Sequence, residues 1–580
     1  MLKQLAGCVR EYKRPTILTL IFIVGEAVIE TIIPFITANL VNRIKAGASI
    51  ESVMEVGLLL IIMAAISLVC GGLAGFTCAK ASTGFAKNLR SDLFHRIQTY
   101  SFENIDKFSS SSLVTRMTTD VTNVQMAFMM LIRIAIRSPL LLIFSTVMAF
   151  VMGGKLAFVF VVVIPILAFG LLAIGKKAMP AFRSVFKKYD RLNESIEENV
   201  RGMRVVKGFS REEYEKQKFN TAADNIRKDF TKAECIVALN TPLMNLCMYI
   251  NMVVVLLVGS KLAITSGGSA LDVGQISGML TYGMQILMSL MMLSMIYVMV
   301  TMSAESAKRI CEVLEEEPSL KEPENPVMEV KDGSIEFKNV NFKYSAKAKK
   351  YALSDIDLSI RSGMTVGIIG GTGSSKSSLV QLIPRLYDVT EGAVLVGGVD
   401  VRDYDIPTLR SAVAMVLQKN VLFSGTIKDN LRWGNENATD EEITEACRLS
   451  QADEFIQTFP DKYDTYIEQG GSNVSGGQKQ RLCIARALLK KPKILILDDS
   501  TSAVDTKTDA LIRAGFKNYI PDTTKIIIAQ RIASVEDADL IIVMDNGSIS
   551  AAGTHEDLLQ NSDIYREVYE QQTKGGNENE

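Results

Sequence analysis

Three stretches in the second half of the chain decide its fold: GGTGSSKSS at 370–378, NVSGGQKQR at 473–481 and ILILDDSTSAVD at 494–505. The first follows the short apolar run VGII, which predicts a buried strand. A glycine-rich loop between a strand and a helix turns its backbone N–H groups toward a bound phosphate. The third stretch is an apolar run that ends in two aspartates, so it predicts another buried strand. Together they predict an α/β domain that binds a nucleotide.

The glycine-rich stretch departs from the phosphate-loop pattern G-x-x-x-x-G-K-[ST] at one position. Gly370, Lys376 and Ser377 match the pattern. In such loops the lysine reaches the β- and γ-phosphates of ATP, and the hydroxyl binds Mg²⁺. Ser375 replaces the last glycine, so we expect its side chain to strain the loop or crowd the nucleotide. The candidate ATP-binding residues of the loop are Gly370, Gly371, Thr372, Gly373, Ser374, Ser375, Lys376, Ser377 and Ser378.

The order and spacing of these stretches resemble the nucleotide-binding domain of ATP-binding cassette (ABC) transporters, specifically the half-transporters that export, and the resemblance covers essentially the whole chain. It implies a P-loop ATPase of the ABC fold that uses ATP and Mg²⁺ as cofactors. By the same resemblance, Tyr344 stacks on adenine and Gln418 contacts the metal and the attacking water. Ser377 and Asp498, with Gln418, are then the expected Mg²⁺ ligands.

The stretch NVSGGQKQR carries the signature motif of the same family. The resemblance implies that Ser475, Gly476, Gly477 and Gln478 hold the γ-phosphate of ATP bound to the other subunit, at a helix N-terminus. SAVD at 502–505 resembles the D-loop, with Asp505 as its acidic residue. The family match therefore predicts a subunit that completes a partner's ATP site.

Two further positions differ from the family pattern. Asp499 stands where the family usually has the glutamate that acts as general base, and its carboxylate is shorter by about one methylene. Gln530 stands where a histidine normally contacts the γ-phosphate, and an amide can hydrogen-bond but cannot carry a proton. The two histidines, His95 and His555, lie elsewhere, and we interpret His555 as structural.

Ser375, Asp499 and Gln530 would all surround the nucleotide on this chain's own loop, whereas the signature faces the partner's nucleotide. This separation predicts the degenerate-site subunit of a heterodimeric, multidrug-type exporter. The partner would be a second ABC half-transporter that carries the consensus Glu and His, and this chain's own site would hydrolyse ATP weakly. Two alternatives stay open: a homodimeric slow exporter of lipid or peptide, and an ATP-gated regulatory or channel-like protein.

Composition separates a membrane part from a soluble part. The chain has 580 residues, of which 48% are hydrophobic, and its net charge of -1 gives no indication of a nucleic-acid partner. Its eight cysteines form no C-x-x-C pair, so neither a zinc site nor a disulfide framework is indicated. Each of six apolar segments approaches the roughly 20 residues that span a bilayer as a helix. They lie at 17–40, 56–77, 127–152, 156–174, 243–264 and 276–302.

We therefore predict an all-α, six-helix transmembrane domain at 1–315, a linker at 316–328, the ABC nucleotide-binding domain at 329–573 and a polar tail at 574–580. Lysines and arginines concentrate in the long connectors between the apolar segments. The positive-inside rule then puts the N-terminus, these connectors and the ATPase in the cytoplasm. Within the connectors, 102–121 and 198–219 resemble the coupling loops of exporters. The expected location is the bacterial plasma membrane.

The transported compound is predicted only as a class, hydrophobic or amphipathic: drug-like, lipid or peptide. The last apolar segment carries methionines at helical spacing, a residue that suits promiscuous apolar binding. These candidates are Met284, Met288, Met291, Met295 and Met299, and a packing seam between helices is the alternative. Glu26 and Glu30 lie one turn apart in the first segment, where they could attract cationic substrates. Alternatively they bind Asn39 or a basic residue nearby, or lie close to the outer surface.

Overall fold

The structure, a computed structural model, describes residues 2–266, 271–345, 348–499 and 505–576. The chain divides into two compact units. One comprises Met1–Gln98 with Ser109–Glu316, and the other comprises Thr99–Phe108 with Glu317–Glu580. The segment Thr99–Phe108, which lies in the first half of the sequence, thus belongs to the second unit.

The first unit is helical throughout its described part. Its helices and one that belongs to the second unit, α4, are α1 Leu2–Gly7, α2 Lys13–Lys45, α3 Ile50–Gln98, α4 Phe102–Phe108, α5 Ser110–Thr115, α6 Val121–Gly153, α7 Phe158–Arg201, α8 Met203–Gly208, α9 Glu212–Val237, α10 Asn240–Thr265 and α11 Val273–Glu315. Short 3₁₀ segments precede α2 and α7, and a π-helical turn at Arg116–Asp120 leads into α6. Helices α2, α3, α6, α7, α10 and α11 contain the six predicted apolar segments, except that the fourth begins in the 3₁₀ segment before α7.

The long helices of this unit are apolar on their outer surface. Five helical stretches among the described residues are long and apolar enough to cross a membrane, and one of them, Ser110–Phe182, contains α6 and the first part of α7. On α3, Ile61 is 67% exposed and Leu68 is 76% exposed. Such continuous apolar exposure is stable against lipid but costly against water. The protein is therefore a multi-pass membrane protein, as the sequence predicted.

The second unit is an α/β domain, and its described residues form three sheets. Its strands are β1 Ile335–Phe342, β2 Leu353–Ile360, β3 Thr365–Gly370, β4 Glu391–Val396, β5 Val399–Asp400, β6 Val413–Val416, β7 Gly425–Thr426, β8 Tyr466–Ile467, β9 Ile494–Asp498, β10 Thr524–Ile528, β11 Leu540–Asp545 and β12 Ser548–Gly553. The sheet orders are β2-β1-β4-β5, β12-β11-β3-β10-β9-β6 and β7-β8. In the six-stranded sheet every strand is parallel to its neighbours except β12.

Helices pack around the sheets of this unit. They are α12 Lys376–Gln381, α13 Ile406–Ala412, α14 Ile427–Arg432, α15 Asp440–Leu449, α16 Asp453–Gln457, α17 Gly476–Leu489, α18 Thr506–Tyr519, α19 His555–Asn561 and α20 Asp563–Gly576. Every residue of β9 and β10 is buried, which explains why apolar residues follow one another without alternation in ILIL of β9 and III of β10. The predicted α/β fold is confirmed.

Candidate functional site

The predicted nucleotide-site residues follow four adjacent strands of the parallel sheet. In the register of that sheet, Ile528 of β10 lies opposite Ile368 of β3 on one side and Asp498 of β9 on the other. Strand β6 lies on the far side of β9. Because the carboxyl ends of parallel strands meet at one edge of the sheet, the segments that follow these four strands converge there.

The phosphate loop joins the end of β3 to the start of α12. Ser375 precedes the helix with φ 69° and ψ 26°, which is a left-handed conformation. Glycine adopts that conformation freely, and other residues do so at a cost of roughly 1–2 kcal/mol. Lys376 folds back over the loop and donates from Nζ to the carbonyls of Gly370 at 2.7 Å and Gly371 at 2.8 Å. Burial lowers the pKa of Lys376, and the carboxylates of Asp498 and Asp499 oppose that shift.

Two of the three residues predicted to hold the metal, Ser377 and Asp498, are neighbours. Ser377 donates from Oγ to Asp498 Oδ1 at 3.0 Å. Asp498 is only 5% exposed. Its burial raises the pKa of the carboxyl, while the bond from Ser377 acts in the opposite direction. A buried carboxylate next to a hydroxyl forms a set of hard oxygen donors of the kind that Mg²⁺ prefers.

The side chain of Asp499 is engaged by two amides. Its Oδ2 accepts hydrogen bonds from Gln530 Nε2 at 2.7 Å and from Gln418 Nε2 at 3.3 Å. Its backbone N–H donates to the carbonyl of Ile528 at 3.0 Å, and φ is 49°. Three predicted site residues from three different segments therefore form one hydrogen-bonded cluster.

Tyr344 lies beside the helix that follows the phosphate loop. Its hydroxyl is 2.7 Å from Ser378 Oγ on α12, and its ring packs edge-on against Tyr387 at 5.2 Å between centroids. Tyr387 in turn donates from its hydroxyl to Asp106 Oδ2 at 2.7 Å. Asp106 lies on α4, so the predicted adenine-stacking residue is two contacts away from one predicted coupling segment. The counterpart of α4 in the other predicted coupling loop, α8, belongs to the first unit.

The signature residues form the N-terminus of α17. Ser475 caps this helix: its Oγ accepts from the backbone N–H of Gln478, and its own N–H donates to Gln478 Oε1. Ser475 and Gly476 are exposed, and Gly477 is partly exposed. An exposed, well-capped helix N-terminus presents free N–H groups and a positive dipole end to solvent, which suits an anion held by another molecule.

The D-loop lies at the border of the described residues. Residues 502–504 lie outside them, whereas Asp505 caps α18 by accepting a hydrogen bond from the N–H of Thr508.

His555, interpreted as structural, starts α19, and its Nδ1 lies 2.7 Å from the hydroxyl of the buried Tyr565.

The carboxylates of the first apolar helix are paired. Arg137 on α6 donates from Nη2 to both oxygens of Glu30, at 2.6 and 2.7 Å, and lies 3.6 Å from Glu26 Oε1. In the structure Glu30 thus binds a basic residue nearby, which is one of the alternatives given above. The sequence carried a signal for this partner that we missed: Arg133 and Arg137 lie one turn apart within an otherwise apolar segment, as Glu26 and Glu30 do.

The predicted methionine face of α11 is partly accessible. Met284, Met288 and Met295 are 53%, 53% and 57% exposed, whereas Met291 and Met299 are only partly exposed. Met292, which was not among the predicted methionines, is also exposed.

Comparisons with known proteins agree with this architecture. The chain matches the family "ABC transporter transmembrane region" over residues 16–290 and the family "ABC transporter" over residues 353–502. It is 36% identical to the uncharacterized ABC transporter ATP-binding protein YfiB of Bacillus subtilis over 555 residues, which is 96% of each chain. An uncharacterized ABC transporter ATP-binding protein of Mycobacterium tuberculosis is 35% identical over 564 residues, again 96% of each chain.

A solved structure has the same fold. It is the bacterial Atm1-family ABC exporter described with ATP bound, which superposes with a TM-score of 0.83 over 96% of this chain and 98% of its own, at 24% identity. A transmembrane region and an ATPase domain thus lie on one polypeptide, in the order of these relatives. The chain therefore belongs to the ABC transporters, with a transmembrane region and an ATP-binding domain on one polypeptide.

Proposed function

We propose that this chain is the degenerate-site subunit of a heterodimeric exporter for hydrophobic or amphipathic compounds. Its own pocket binds MgATP through the phosphate loop but hydrolyses it slowly. Its signature residues complete the partner's ATP site, where most hydrolysis takes place. One observation carries the proposal: the carboxylate at the general-base position belongs to an aspartate that is hydrogen-bonded to two amides, Gln530 and Gln418.

This cluster is poorly suited to activating water. A general base must lie within hydrogen-bonding reach of the water proton that it abstracts. The side chain of Asp499 is one methylene shorter than glutamate, and one of its oxygens already accepts two N–H groups. Neither amide can take up the proton, since glutamine does not titrate. The cluster can still hold ATP, because Gln530 keeps a donor that can reach a phosphate oxygen.

The metal fits the same pocket. Ser377 and Asp498, with Gln418, would hold Mg²⁺, which would neutralise phosphate charge. The remaining function of the pocket is to bind the nucleotide and hold it, which requires the loop, Tyr344 and Lys376 but no base.

The substrate class is supported by the exposed methionines of α11. Flexible, polarizable side chains adapt to apolar molecules of different shapes. Glu30 offers a cationic substrate little net charge, because Arg137 neutralises it. We therefore expect recognition by apolar contact, with the charged cluster between α2 and α6 serving as a structural link.

The test measures ATPase activity of the full-length chain, alone and co-expressed with the product of the adjacent gene, together with the mass of the complex in detergent. Low activity alone and a strong rise in a one-to-one complex are expected. High activity from a homodimer would contradict the proposal and favour the slow-homodimer alternative. Ion conductance that depends on ATP, without transport, would favour the channel-like alternative.

A second arm restores the missing chemistry. Asp499→Glu combined with Gln530→His should raise hydrolysis at this chain's own pocket, since general acid–base groups contribute about 10²- to 10⁴-fold. Gln530→His alone is the matched control and should gain little, because the base position is unchanged. If the double variant gains nothing, Ser375 or the partner's signature limits the site.

A further inference from the structure

The C-terminal helix α20 reaches the segment that carries Gln530. The backbone N–H of Ile532 donates to Gln572 Oε1 at 2.9 Å, and Gln572 Nε2 donates to the backbone carbonyl of Gln530 at 2.8 Å. One side-chain amide thus bonds the main chain at both Gln530 and Ile532. Gln530, the residue expected to contact the γ-phosphate, is the switch residue of this pocket. The orientation of the Gln572 amide is fixed, because a backbone N–H can only donate and a carbonyl can only accept.

The helix that carries Gln572 is anchored in the core of the ATPase unit. Tyr565 is fully buried, and Val568 and Tyr569 pack against the same apolar cluster that contains Ile532. Residues 565, 568, 569 and 572 follow the spacing of one helical face. The hydroxyl of Tyr565 pairs with His555 Nδ1 at 2.7 Å, which ties α20 to α19. Gln572 therefore extends from a fixed support rather than from a free end.

The amide of Gln572 bonds a member of the hydrogen-bonded cluster formed by Asp499, Gln530 and Gln418. It bonds the backbone carbonyl of Gln530, and the side chain of Gln530 bonds Asp499 Oδ2 at 2.7 Å. The segment between β10 and this contact is short: Ala529 still bonds the carbonyl of Ile368 on β3. Gln530 is consequently held on its N-terminal side by the sheet and on its C-terminal side by α20.

We propose that Gln572 is a positioning residue for the γ-phosphate switch of this pocket. By fixing the main chain at Gln530 and Ile532, it directs the Gln530 side chain toward Asp499 and the terminal phosphate. It thereby sets how well the pocket distinguishes ATP from ADP. This inference rests on the proposed role of Gln530 as the group that reads the γ-phosphate.

The experiment uses the full-length complex in detergent. This chain is photolabelled with 8-azido-ATP and resolved from its partner by mass, and unlabelled ATP or ADP competes for the label. The readout is the ratio of the ADP to the ATP dissociation constant. We expect Gln572→Ala to lower this ratio about three- to tenfold. That is the effect of losing one hydrogen bond, the one from Gln530 to the γ-phosphate. Gln572→Glu should lower it as well, because its second oxygen would face the carbonyl of Gln530.

Two controls separate positioning from folding. Gln571→Ala removes the neighbouring exposed amide, which donates to Glu567 of the same helix, and should leave the ratio unchanged. Tyr344→Ala should weaken ATP and ADP equally, because both carry adenine. Each variant should also keep the unfolding temperature of the parent protein.

Gln530→Ala distinguishes this inference from the proposal beneath it. If Gln530→Ala lowers the ratio and Gln572→Ala does not, the positioning role is wrong and the switch role stands. If Gln530→Ala leaves the ratio unchanged, the switch role fails and the positioning role falls with it. If both lower the ratio, the double variant should lose no more than Gln530→Ala alone, because the two residues act in series.

Discussion

Ser375 shows how one side chain changes a loop that otherwise follows the phosphate-binding pattern. The structure places it in the left-handed region, with φ 69°, where a Cβ is unfavourable. The sequence predicted strain or crowding at this position, and the backbone conformation supports strain.

Ser375→Gly should therefore raise the free energy of unfolding of the ATPase unit by about 0.5–1 kcal/mol, since part of the relief is offset by the greater freedom of glycine in the unfolded chain. Thermal unfolding in detergent would measure it. The matched control is Gly373→Ser, which places the same side chain at φ 84° and should destabilise. An unchanged unfolding temperature in Ser375→Gly would show that the loop carries no strain there.

The buried carboxyl of Asp498 makes the stability of the ATPase unit depend on pH. Its burial raises the pKa of the carboxyl, so the ionised form costs folding free energy. The neutral carboxyl of Asp498 therefore contributes to the free energy of unfolding. This contribution is fully present below the pKa of the unfolded state and is lost as the pH rises through the higher pKa of the folded state. A cation bound at neutral pH would offset this cost.

Asp498→Asn keeps an oxygen that can accept from Ser377 and removes the charge. We expect a higher unfolding temperature than the parent at neutral pH without nucleotide, and a smaller difference in acid. The stabilisation by MgATP should shrink in this variant, because the metal loses a carboxylate. A parent-like response to MgATP would show that Asp498 does not hold the metal.

At the scale of elements, an ion pair joins α2 and α6 within two of the predicted apolar segments. Arg137 is shared by Glu26 and Glu30, so removal of the arginine leaves two carboxylates without this partner. Removal of Glu30 leaves Arg137 with Glu26. The two sides of this pair are therefore not equivalent.

Arg137→Gln should lower the free energy of unfolding in detergent by about 1–3 kcal/mol, less than for a fully buried pair because both side chains are partly exposed. Glu30→Gln should cost less, and the double variant should cost less than the sum. Equal losses in the two single variants would contradict this asymmetry. A change in transport without a change in stability would instead support a direct substrate role for the cluster.

At the scale of the whole molecule, the signature and the phosphate loop are predicted to serve different nucleotides. The ATP-binding loop follows β3, whereas the signature residues lie exposed at the start of α17. Because ABC half-transporters dimerise, the proposed heterodimer makes a prediction that a symmetric dimer does not share. Variants of the two motifs should have unequal effects on total hydrolysis.

Ser475→Asp keeps a helix cap but places a negative charge where the partner's γ-phosphate would bind. It should reduce ATPase activity of the complex about 10²-fold or more, as expected when transition-state stabilisation is lost. Lys376→Ala should leave a larger share of the activity, because it weakens only this chain's own pocket. Equal losses would indicate two equivalent sites and contradict the degenerate-site proposal.

Local pattern was sufficient for much of this fold. The apolar runs VGII and ILIL are buried strands because continuous apolar residues suit a sheet covered on both faces. The long apolar segments are helices because lipid leaves the backbone no partner except itself. These features depend on residues close together in sequence, so the chain alone determined them.

The tertiary structure alone decided which distant residues meet. Asp499, Gln530 and Gln418 were predicted singly, but their shared hydrogen bonds arise from the strand order β10-β9-β6, which no local pattern encodes. The same holds for Arg137 with Glu30 and for Gln572 with the backbone of Gln530. These contacts depend on how helices and strands pack across long sequence separations, and packing is a property of the whole chain rather than of any segment within it.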